Sequence, residues 1–176
     1  MDGIKRYTIS ALASNKSGVL TRISSLFGRR SYNIESITVC ASEDPEISRL
    51  TIILNGDEYT LYQMIKQLDK LEDVKKIGCA DELDCVYREL ALIKVRAPAD
   101  KRREVVEATE IYKAKVVDLS PDTMILEITG DPSKIEAFIK LIQPYGKLEM
   151  QRTGVTVLAR GEHTLKDRDC YSDHIK

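Results

Sequence analysis

The sequence predicts an α+β fold made of two βαββαβ units in tandem. Three observations support this prediction. Stretches with alternating apolar residues, and stretches with apolar residues three and four positions apart, follow one another in the same order twice. Clusters of Asn, Asp, Ser, Gly and Pro separate these stretches, as expected of turns. A length of 176 residues is sufficient for two small hydrophobic cores.

The first unit is predicted from four alternating and two amphipathic stretches. Its strands are expected at 4–13, 34–41, 47–54 and 74–77, and its helices at 18–30 and 58–71. The apolar stripe of the first helix consists of Val19, Leu20, Ile23, Leu26 and Phe27, and that of the second of Leu61, Met64, Ile65 and Leu68. This order of elements is the split βαβ arrangement of ferredoxin-like domains.

The second unit repeats the order of elements without repeating the sequence. Its strands are expected at 90–97, 114–119, 123–129, 147–152 and 155–159, and its helices at about 100–112 and after Asp131. Asp100 is the expected cap of the first helix, and Asp131 caps the second, with Pro132 in the first helical position. The inward residues of the two helices are Val105, Val106 and Thr109, then Ile135, Phe138, Ile139 and Ile142.

The predicted organisation is therefore two ferredoxin-like domains with a connection and a tail. The ranges are a first domain at 1–79, a short acidic linker at 80–87, a second domain at 88–161, and a tail at 162–176. The tail is polar and lacks periodicity, so we expect it to be mobile.

Composition excludes several classes of function. A net charge of −1 argues against a nucleic-acid binder that neutralises phosphates. No apolar run reaches membrane-spanning length and no signal-peptide core is present, so we expect a cytoplasmic protein with reduced thiols. The four cysteines form no CxxC pair, the sequence lacks a Gly-rich phosphate loop, and the only histidines, His163 and His174, lie in the tail. We therefore expect no metal, no cofactor and no catalysis in this chain.

The same βαββαβ order occurs in RNA-binding RRM domains, which stack bases on aromatic residues of their central strands. The third strand, 47–54, contains no aromatic residue, and the first offers only Tyr7. The RNA-binding interpretation is therefore not favoured.

The stretch from Asn15 to Leu20 is the best candidate for a ligand site. Ser17 stands where a helix cap is expected, and Gly18 allows close approach of the backbone. The free N–H groups of a helix start attract carboxylates, and the Asn15 amide can both donate and accept a hydrogen bond. This combination suits the head group of an amino acid. The alternative, which is common at helix starts, is that Asn15 and Ser17 only cap a structural helix.

A second asparagine, Asn33, follows the first helix. In this topology Asn15 and Asn33 lie at opposite ends of the helix, roughly 20 Å apart at 1.5 Å per residue. A small ligand cannot bridge that distance within one chain. The second strand is an edge strand, and its antiparallel pairing with a second copy would bring Asn33 of one chain beside Asn15 of the other. The sequence therefore predicts a homodimer with a ligand at the interface between its subunits.

Several motifs occur in an order and spacing typical of one family. They are Asn15-Lys16-Ser17-Gly18-Val19-Leu20, Leu26-Phe27, Tyr32-Asn33-Ile34-Glu35-Ser36, Glu43-Asp44-Pro45, Ser48-Arg49-Leu50-Thr51-Ile52, Gln67-Leu68-Lys70-Leu71, Arg88-Glu89-Leu90, Glu127-Ile128-Thr129-Gly130, Arg152-Thr153-Gly154 and Ala159-Arg160-Gly161. Over about residues 4 to 161 the chain resembles the regulatory (small) subunits of acetolactate synthase, whose first domain is an ACT domain. Where the family often has glycine before Tyr32, this chain has Ser31.

The resemblance implies a non-catalytic subunit that binds a branched-chain amino acid, usually valine, at an ACT dimer interface. The implied contacts are Asn15, Lys16, Ser17, Gly18, Val19, Leu20, Asn33 and Ile34. It also implies that the small subunits, through the second domain, activate a separate catalytic subunit carrying thiamine diphosphate, magnesium and flavin (FAD), and confer feedback inhibition on branched-chain amino acid biosynthesis. The alternative is a stand-alone ACT sensor that controls another enzyme or a transcription regulator.

Overall fold

The computed structural model describes residues 4–30, 32–80 and 83–167. Ser31, the position at which the sequence departs from the family pattern, lies outside the described residues. Contacts divide the chain into two compact units: Met1–Val86 together with Val157–Lys176, and Tyr87–Thr156. The chain therefore leaves the first unit, forms the second, and returns to the first.

The first unit contains the predicted βαββαβ order. Its elements are β1 (Lys5–Ser14), α1 (Val19–Arg30), β2 (Ile34–Ala41), β3 (Ile47–Gly56), α2 (Glu58–Asp69) and β4 (Val74–Ala80). The strands form one sheet in the order β2-β3-β1-β4, with antiparallel neighbours. This is the ferredoxin-like arrangement, and it leaves β2 at an edge.

One face of this sheet packs against both helices. The buried residues of this core are Ile9, Ala11, Ala13, Val19, Ile23, Phe27, Leu50, Ile52, Leu54, Leu61, Met64, Ile65, Leu68 and Ile77. The predicted stripe of α2 is confirmed in full. The stripe of α1 is confirmed except at Leu20, which is 49% exposed. Val19, Ile23 and Phe27 repeat every four residues, and Leu20 lies about 100° around the helix from Val19, on the side facing away from the core.

The opposite face of the two central strands is buried as well. Thr8, Ser10, Leu12, Thr51 and Ile53 alternate with core residues along β1 and β3, and each is less than a tenth exposed. Side chains on both faces of β1 and β3 are therefore buried, rather than alternating between core and solvent.

Residues 157–167, which we call the return segment, contact the strands of the first sheet at two points. Arg49 alternates with the core residues of β3, and its Nη2 donates to the carbonyl oxygen of Val157 at 3.1 Å. Leu165 is buried, and its short 3-10 helix, Leu165–Asp167, packs beside β4. The expectation of a tail without structure therefore does not hold for Leu165–Asp167, and residues 168–176 lie outside the described part of the chain.

Local hydrogen bonds explain this turn. The amide of Thr164 donates to Oδ2 of Asp167 at 2.8 Å, and the amide of Lys166 donates to Oγ1 of Thr164 at 3.2 Å. The pair is a reciprocal capping box of the type Thr-x-x-Asp, which orders a helical turn without any periodic apolar pattern.

The second unit has the same topology with one additional strand. Its elements are β5 (Cys85–Arg96), α3 (Arg102–Ile111), β6 (Lys115–Leu119), β7 (Thr123–Gly130), α4 (Pro132–Ile142), a 3-10 turn (Gln143–Tyr145), β8 (Lys147–Arg152) and β9 (Thr156–Ala159). The sheet order is β6-β7-β5-β8, and β9 also pairs with β5. By contacts only the first residue of β9, Thr156, is grouped with the second unit, and the return segment begins with the next one. Because β4 ends at Ala80 and β5 begins at Cys85, the connection is shorter than the predicted 80–87.

The two helices of this unit begin differently. Asp131 caps α4 as predicted, accepting from the amide of Lys134 at 2.8 Å, with Pro132 in the first position. The predicted cap Asp100 is wrong, because α3 is preceded by Lys101, which makes no side-chain capping bond. The amides of Lys101 and Arg102 both donate to the carbonyl oxygen of Pro98, so that Asp100 lies in a turn before the helix.

We predict that the Asp131 cap stabilises the second unit only when it is ionised. Hydrogen bonds from Ser133 and from the amide of Lys134 hold the pKa of the Asp131 carboxyl below its ordinary value. A lowered folded-state pKa contributes stability that is complete above the unfolded pKa of about 4 and is lost as pH falls through the folded value. Asp131→Ala should therefore lower the urea midpoint at pH 7 and have a smaller effect near pH 2.5.

The matched control for this prediction is Asp131→Asn, which keeps a side-chain acceptor at the cap without the charge. Its urea midpoint should lie between those of the parent and Asp131→Ala at pH 7. An effect of Asp131→Ala that is equally large at both pH values would contradict an ionised cap.

A partly buried ion pair joins β5 and β8 of the second unit. Glu89 in β5 has a side chain only 3% exposed, and Arg152 in β8 forms a two-pronged pair with it through Nε and Nη2 at 2.8 and 2.7 Å. Nη1 of Arg152 also contacts Glu136 in α4. These contacts, the hydrogen bond with Glu89 first, raise the pKa of Arg152, which therefore stays charged.

Candidate functional site

The Asn15 loop, which we define as residues 15–18, connects β1 to α1. Its first residue is held at both its backbone and its side chain. The amide of Asn15 donates to the carbonyl oxygen of Glu46 at 2.7 Å, and Nδ2 donates to that of Pro45 at 2.8 Å. These two bonds fix the orientation of the Asn15 side-chain amide. Its Oδ1 accepts no hydrogen bond from the described residues, so this oxygen is available to a ligand.

The partner of Asn15 is the hairpin between β2 and β3, residues 42–46. This hairpin is stabilised by its own polar side chains: the amide of Glu46 donates to Oδ1 of Asp44, and the amide of Asp44 donates to Oγ of Ser42. Asx and serine turns of this kind favour one conformation of a short hairpin. The loop at the start of α1 therefore rests on an internally hydrogen-bonded hairpin, a contact that the sequence analysis did not predict.

Gly18, rather than Ser17, occupies the cap position of α1. The first intrahelical bond runs from the amide of Arg22 to the carbonyl oxygen of Gly18 at 3.0 Å. Gly18 has a φ of +84°, a conformation that residues with a Cβ rarely adopt. A Cβ placed there would meet no atom within 4 Å. The backbone conformation favours glycine here, and open space lies beside it.

The loop and the helix start face solvent. Asn15, Lys16, Ser17 and Gly18 are all exposed, whereas the side chain of Val19 is buried in the core. Leu20 exposes an apolar side chain next to the free N–H groups of the first helical turn. Polar backbone donors therefore stand beside an apolar contact, an arrangement that suits a small amphiphilic ligand.

Asn33 and Ile34 lie at the start of β2. The carbonyl oxygen of Asn33 accepts from the amide of Asn55 at 3.2 Å, at the far end of β3. Beside them Arg6 makes a two-pronged ion pair with Glu35, at 2.9 and 2.7 Å. The side chain of Asn33 is exposed, and Ile34 is half-buried.

The two asparagines flank α1, one before its start and one after its end, as the topology predicts, and they also lie beside opposite ends of β3. Asn15 is bonded to Glu46, the residue before β3, and Asn33 is bonded to Asn55, the last residue but one of β3. Nine residues of extended chain correspond to about 30 Å along the strand. Within one chain, the predicted site residues therefore form two groups that lie far apart, 15–20 and 33–34.

Strand β2, which follows Asn33 and begins at Ile34, is an edge strand with exposed side chains. Val39 is 40% exposed, and Cys40 and Ala41 are exposed as well. An edge strand presents unpaired backbone N–H and C=O groups that another strand can pair with.

The described residues contain neither a cluster of metal ligands nor a helix that could span a membrane. Across residues 4–30, 32–80 and 83–167, no group of three or more His, Cys, Asp or Glu side chains could hold a metal ion. Cys40 and Cys79 are free thiols. No helix in the same ranges has the length and apolarity needed to span a bilayer.

Comparisons with known proteins agree along both units. A family model described as an AHAS small subunit-like ACT domain matches residues 9–76, and one described as the small subunit of acetolactate synthase matches residues 88–161. The acetolactate synthase small subunit of Mycolicibacterium smegmatis is 45% identical over 160 residues, which are 91% of this chain and 94% of that protein. This chain belongs to the acetolactate synthase small-subunit family.

Other members agree with this assignment. A protein of Archaeoglobus fulgidus described as a "Probable acetolactate synthase small subunit" is 47% identical over 156 residues, covering 89% of this chain and 98% of that protein. The crystal structure of the small subunit from Thermotoga maritima superimposes with a TM-score of 0.84 at 42% identity, covering 91% of this chain and all of that one. The first unit is thus an ACT domain, and the chain is a small, regulatory subunit of acetolactate synthase.

Sequence reasoning missed the residues that support the site. Pro45 and Glu46 hold Asn15 through their carbonyl oxygens, which any residue type provides. Arg49 was part of a family motif but received no role, because its contact with Val157 joins residues 108 positions apart. No local pattern signals such a contact.

Proposed function

We propose that this small subunit binds a branched-chain amino acid, valine foremost, across a homodimer interface in the cytoplasm. Through its second domain it activates a catalytic subunit that carries the thiamine diphosphate, magnesium and FAD, and it transmits feedback inhibition to that subunit. The single observation that carries the proposal is the location of the two candidate groups at opposite ends of β3, one of them on an exposed edge strand.

The Asn15 loop has the chemistry that an amino acid head group requires. A carboxylate is stabilised by the unpaired N–H groups and the positive dipole end of α1. The ammonium group needs an acceptor, and Oδ1 of Asn15 is held in place by the bond from Nδ2 to Pro45. Leu20 supplies an exposed apolar contact for the branched side chain.

The second copy completes the site. Antiparallel pairing of β2 with β2 of another subunit about a two-fold axis brings Asn33 and Ile34 of one chain to the Asn15 loop of the other. Val39 and its exposed neighbours on β2 are covered in the same step. Each dimer then holds two equivalent sites, and valine stabilises the dimer by mass action.

Inhibition follows if valine favours one arrangement of the paired ACT domains. The ligand must bind the less activating state more tightly, since a ligand with equal affinity for both states shifts nothing. A stand-alone sensor is the weaker alternative, because the similarity to acetolactate synthase small subunits continues through the second unit.

Mixing two variants that each bind valine weakly should restore part of the valine binding. Asn15→Ala and Asn33→Ala, each alone, are expected to weaken binding in calorimetric titration beyond about tenfold, because each removes one half of every site. A heterodimer of the two variants contains one site with both substitutions and one intact site. Random exchange of subunits therefore restores about a quarter of the parental number of sites.

The control is Gln151→Ala, which removes an exposed side-chain amide in the second unit and should bind valine like the parent. A site enclosed by one subunit predicts no recovery on mixing, and that result would refute the shared site. Titrating the reconstituted holoenzyme with valine, leucine and isoleucine tests which effector inhibits. Calorimetry with no heat of binding for any of the three would refute the effector class.

A further inference from the structure

Two long-range contacts meet at the beginning of β3. The amide of Asn15 donates to the carbonyl oxygen of Glu46, and Nη2 of Arg49 donates to that of Val157. Glu46 and Arg49 are three residues apart, about 10 Å along an extended chain. The Asn15 loop and the return segment are thus anchored to the same short stretch of backbone.

Arg49 depends on the return segment. Its guanidinium is partly buried, its Nε is buried without a hydrogen-bond partner, and it forms no ion pair with any residue of the described ranges. Among the described residues, the Val157 carbonyl oxygen is the one hydrogen-bond acceptor of this guanidinium. A charged group in a partly buried position costs free energy when it loses its hydrogen-bond partner. Breaking the contact between Arg49 and Val157 is therefore unfavourable, which opposes release of the return segment.

The rest of the return segment is held at further points. The amide of Arg160 donates to the carbonyl oxygen of Asp84 at 2.8 Å, and the capping box of Thr164 and Asp167 presents Leu165 for burial. Lys166 approaches Glu43 of the hairpin at 4.0 Å, but both side chains are exposed and such a pair contributes little.

We propose that the return segment is a strap that couples the effector site to the second unit, with Arg49 as the positioning residue. The inference rests on the proposed function and deepens it. The strap continues directly from Thr156, the last residue of the second unit, without an intervening linker. A ligand that holds the Asn15 loop more firmly against Glu46 also immobilises the start of β3. Arg49, which binds the Val157 carbonyl oxygen, lies in that stretch. By reciprocity, loosening the strap lowers the affinity for the effector.

Hydrogen exchange of the full-length chain with and without valine tests this coupling. Valine should slow amide exchange within 157–167 as well as in the Asn15 loop. Arg49→Met should weaken valine binding about fivefold to tenfold, within the usual range of coupling between sites, and should abolish the slowing in 157–167. Arg49→Lys keeps a cationic donor for the Val157 carbonyl oxygen and should recover part of both effects.

Two further variants separate coupling from simple loss of structure. Leu165→Ala loosens the strap at its other end, where the 3-10 helix packs beside β4, and should weaken valine binding in the same direction. Arg103→Met removes an exposed arginine that pairs with Glu107 one turn away, and should change neither readout. Exchange in β1 and β3 that rises equally with and without valine would mean that Arg49 has only a structural role.

The outcomes are distinct. If the parent binds valine but exchange in 157–167 does not respond, or if Arg49→Met and Leu165→Ala bind valine as the parent does, the strap is refuted and the effector site stands. If the parent binds no branched-chain amino acid, the effector site is refuted and the coupling falls with it.

Discussion

Feedback inhibition by valine is expected to be lost in Gly18→Asp. Two penalties add at this position. The φ of +84° is strained for a residue with a side chain, by about 1–3 kcal/mol. The new carboxylate also stands where we propose that the valine carboxylate binds, and two like charges about 4 Å apart near a surface repel by about 4 kcal/mol. We expect valine affinity to fall by at least a hundredfold, measured by calorimetry and by valine titration of the reconstituted holoenzyme.

Two substitutions at the same position separate the penalties. Gly18→Asn has the shape of aspartate, tolerates the left-handed conformation and carries no charge. Gly18→Ala adds only a Cβ, which meets no atom within 4 Å and therefore tests the backbone alone. We expect Gly18→Asp to weaken valine binding more than Gly18→Asn or Gly18→Ala does. If Asp and Asn weaken valine binding equally, no carboxylate binds beside Gly18.

Arg152→Met is expected to cause the largest loss of stability among the substitutions proposed. It leaves Glu89, whose side chain is only 3% exposed, without the guanidinium that accompanies it. Removing one member of a buried ion pair costs about 3–5 kcal/mol, because the remaining charge is buried and uncompensated. Urea unfolding of the second unit, followed by hydrogen exchange in β5 and β8, measures this loss.

The double variant Glu89→Leu with Arg152→Met should recover much of the lost stability, since apolar residues of similar volume often replace a buried pair without cost. Glu136→Ala serves as the control. Its side chain is 51% exposed, and loss of its contact with Arg152 should cost less than about 1 kcal/mol. A double variant as unstable as Arg152→Met alone would show that the guanidinium is needed for packing rather than for charge.

Elements with strong local signals were predicted well. Strand β2 was predicted with its observed bounds, and all four inward residues of α2 are buried. The Asp131-Pro132 start of α4 was also correct. In each case the residues that determine the structure lie within a few positions of one another, so that periodicity or capping chemistry is sufficient.

The errors arose where a backbone hydrogen bond, a backbone conformation or a return of the chain from a distant position decided the outcome. Asp100 lost its expected role because the Pro98 carbonyl oxygen closes a turn before α3. Ser17 was displaced from the cap of α1 because Gly18 adopts a positive φ. Leu165 was assigned to a mobile tail, yet it is buried against the first unit. Neither a carbonyl group nor a return of the chain leaves a pattern in the local sequence.

By itself, the sequence determined the two βαββαβ units, their helix stripes and the two asparagine-containing turns, because periodicity and turn chemistry are local properties. Only the tertiary structure decided that both faces of β1 and β3 are buried and that Arg49 holds Val157. It also decided that Asn15 rests on the 42–46 hairpin. These features depend on contacts between segments far apart in the chain, and such contacts exist only after the sheet has formed.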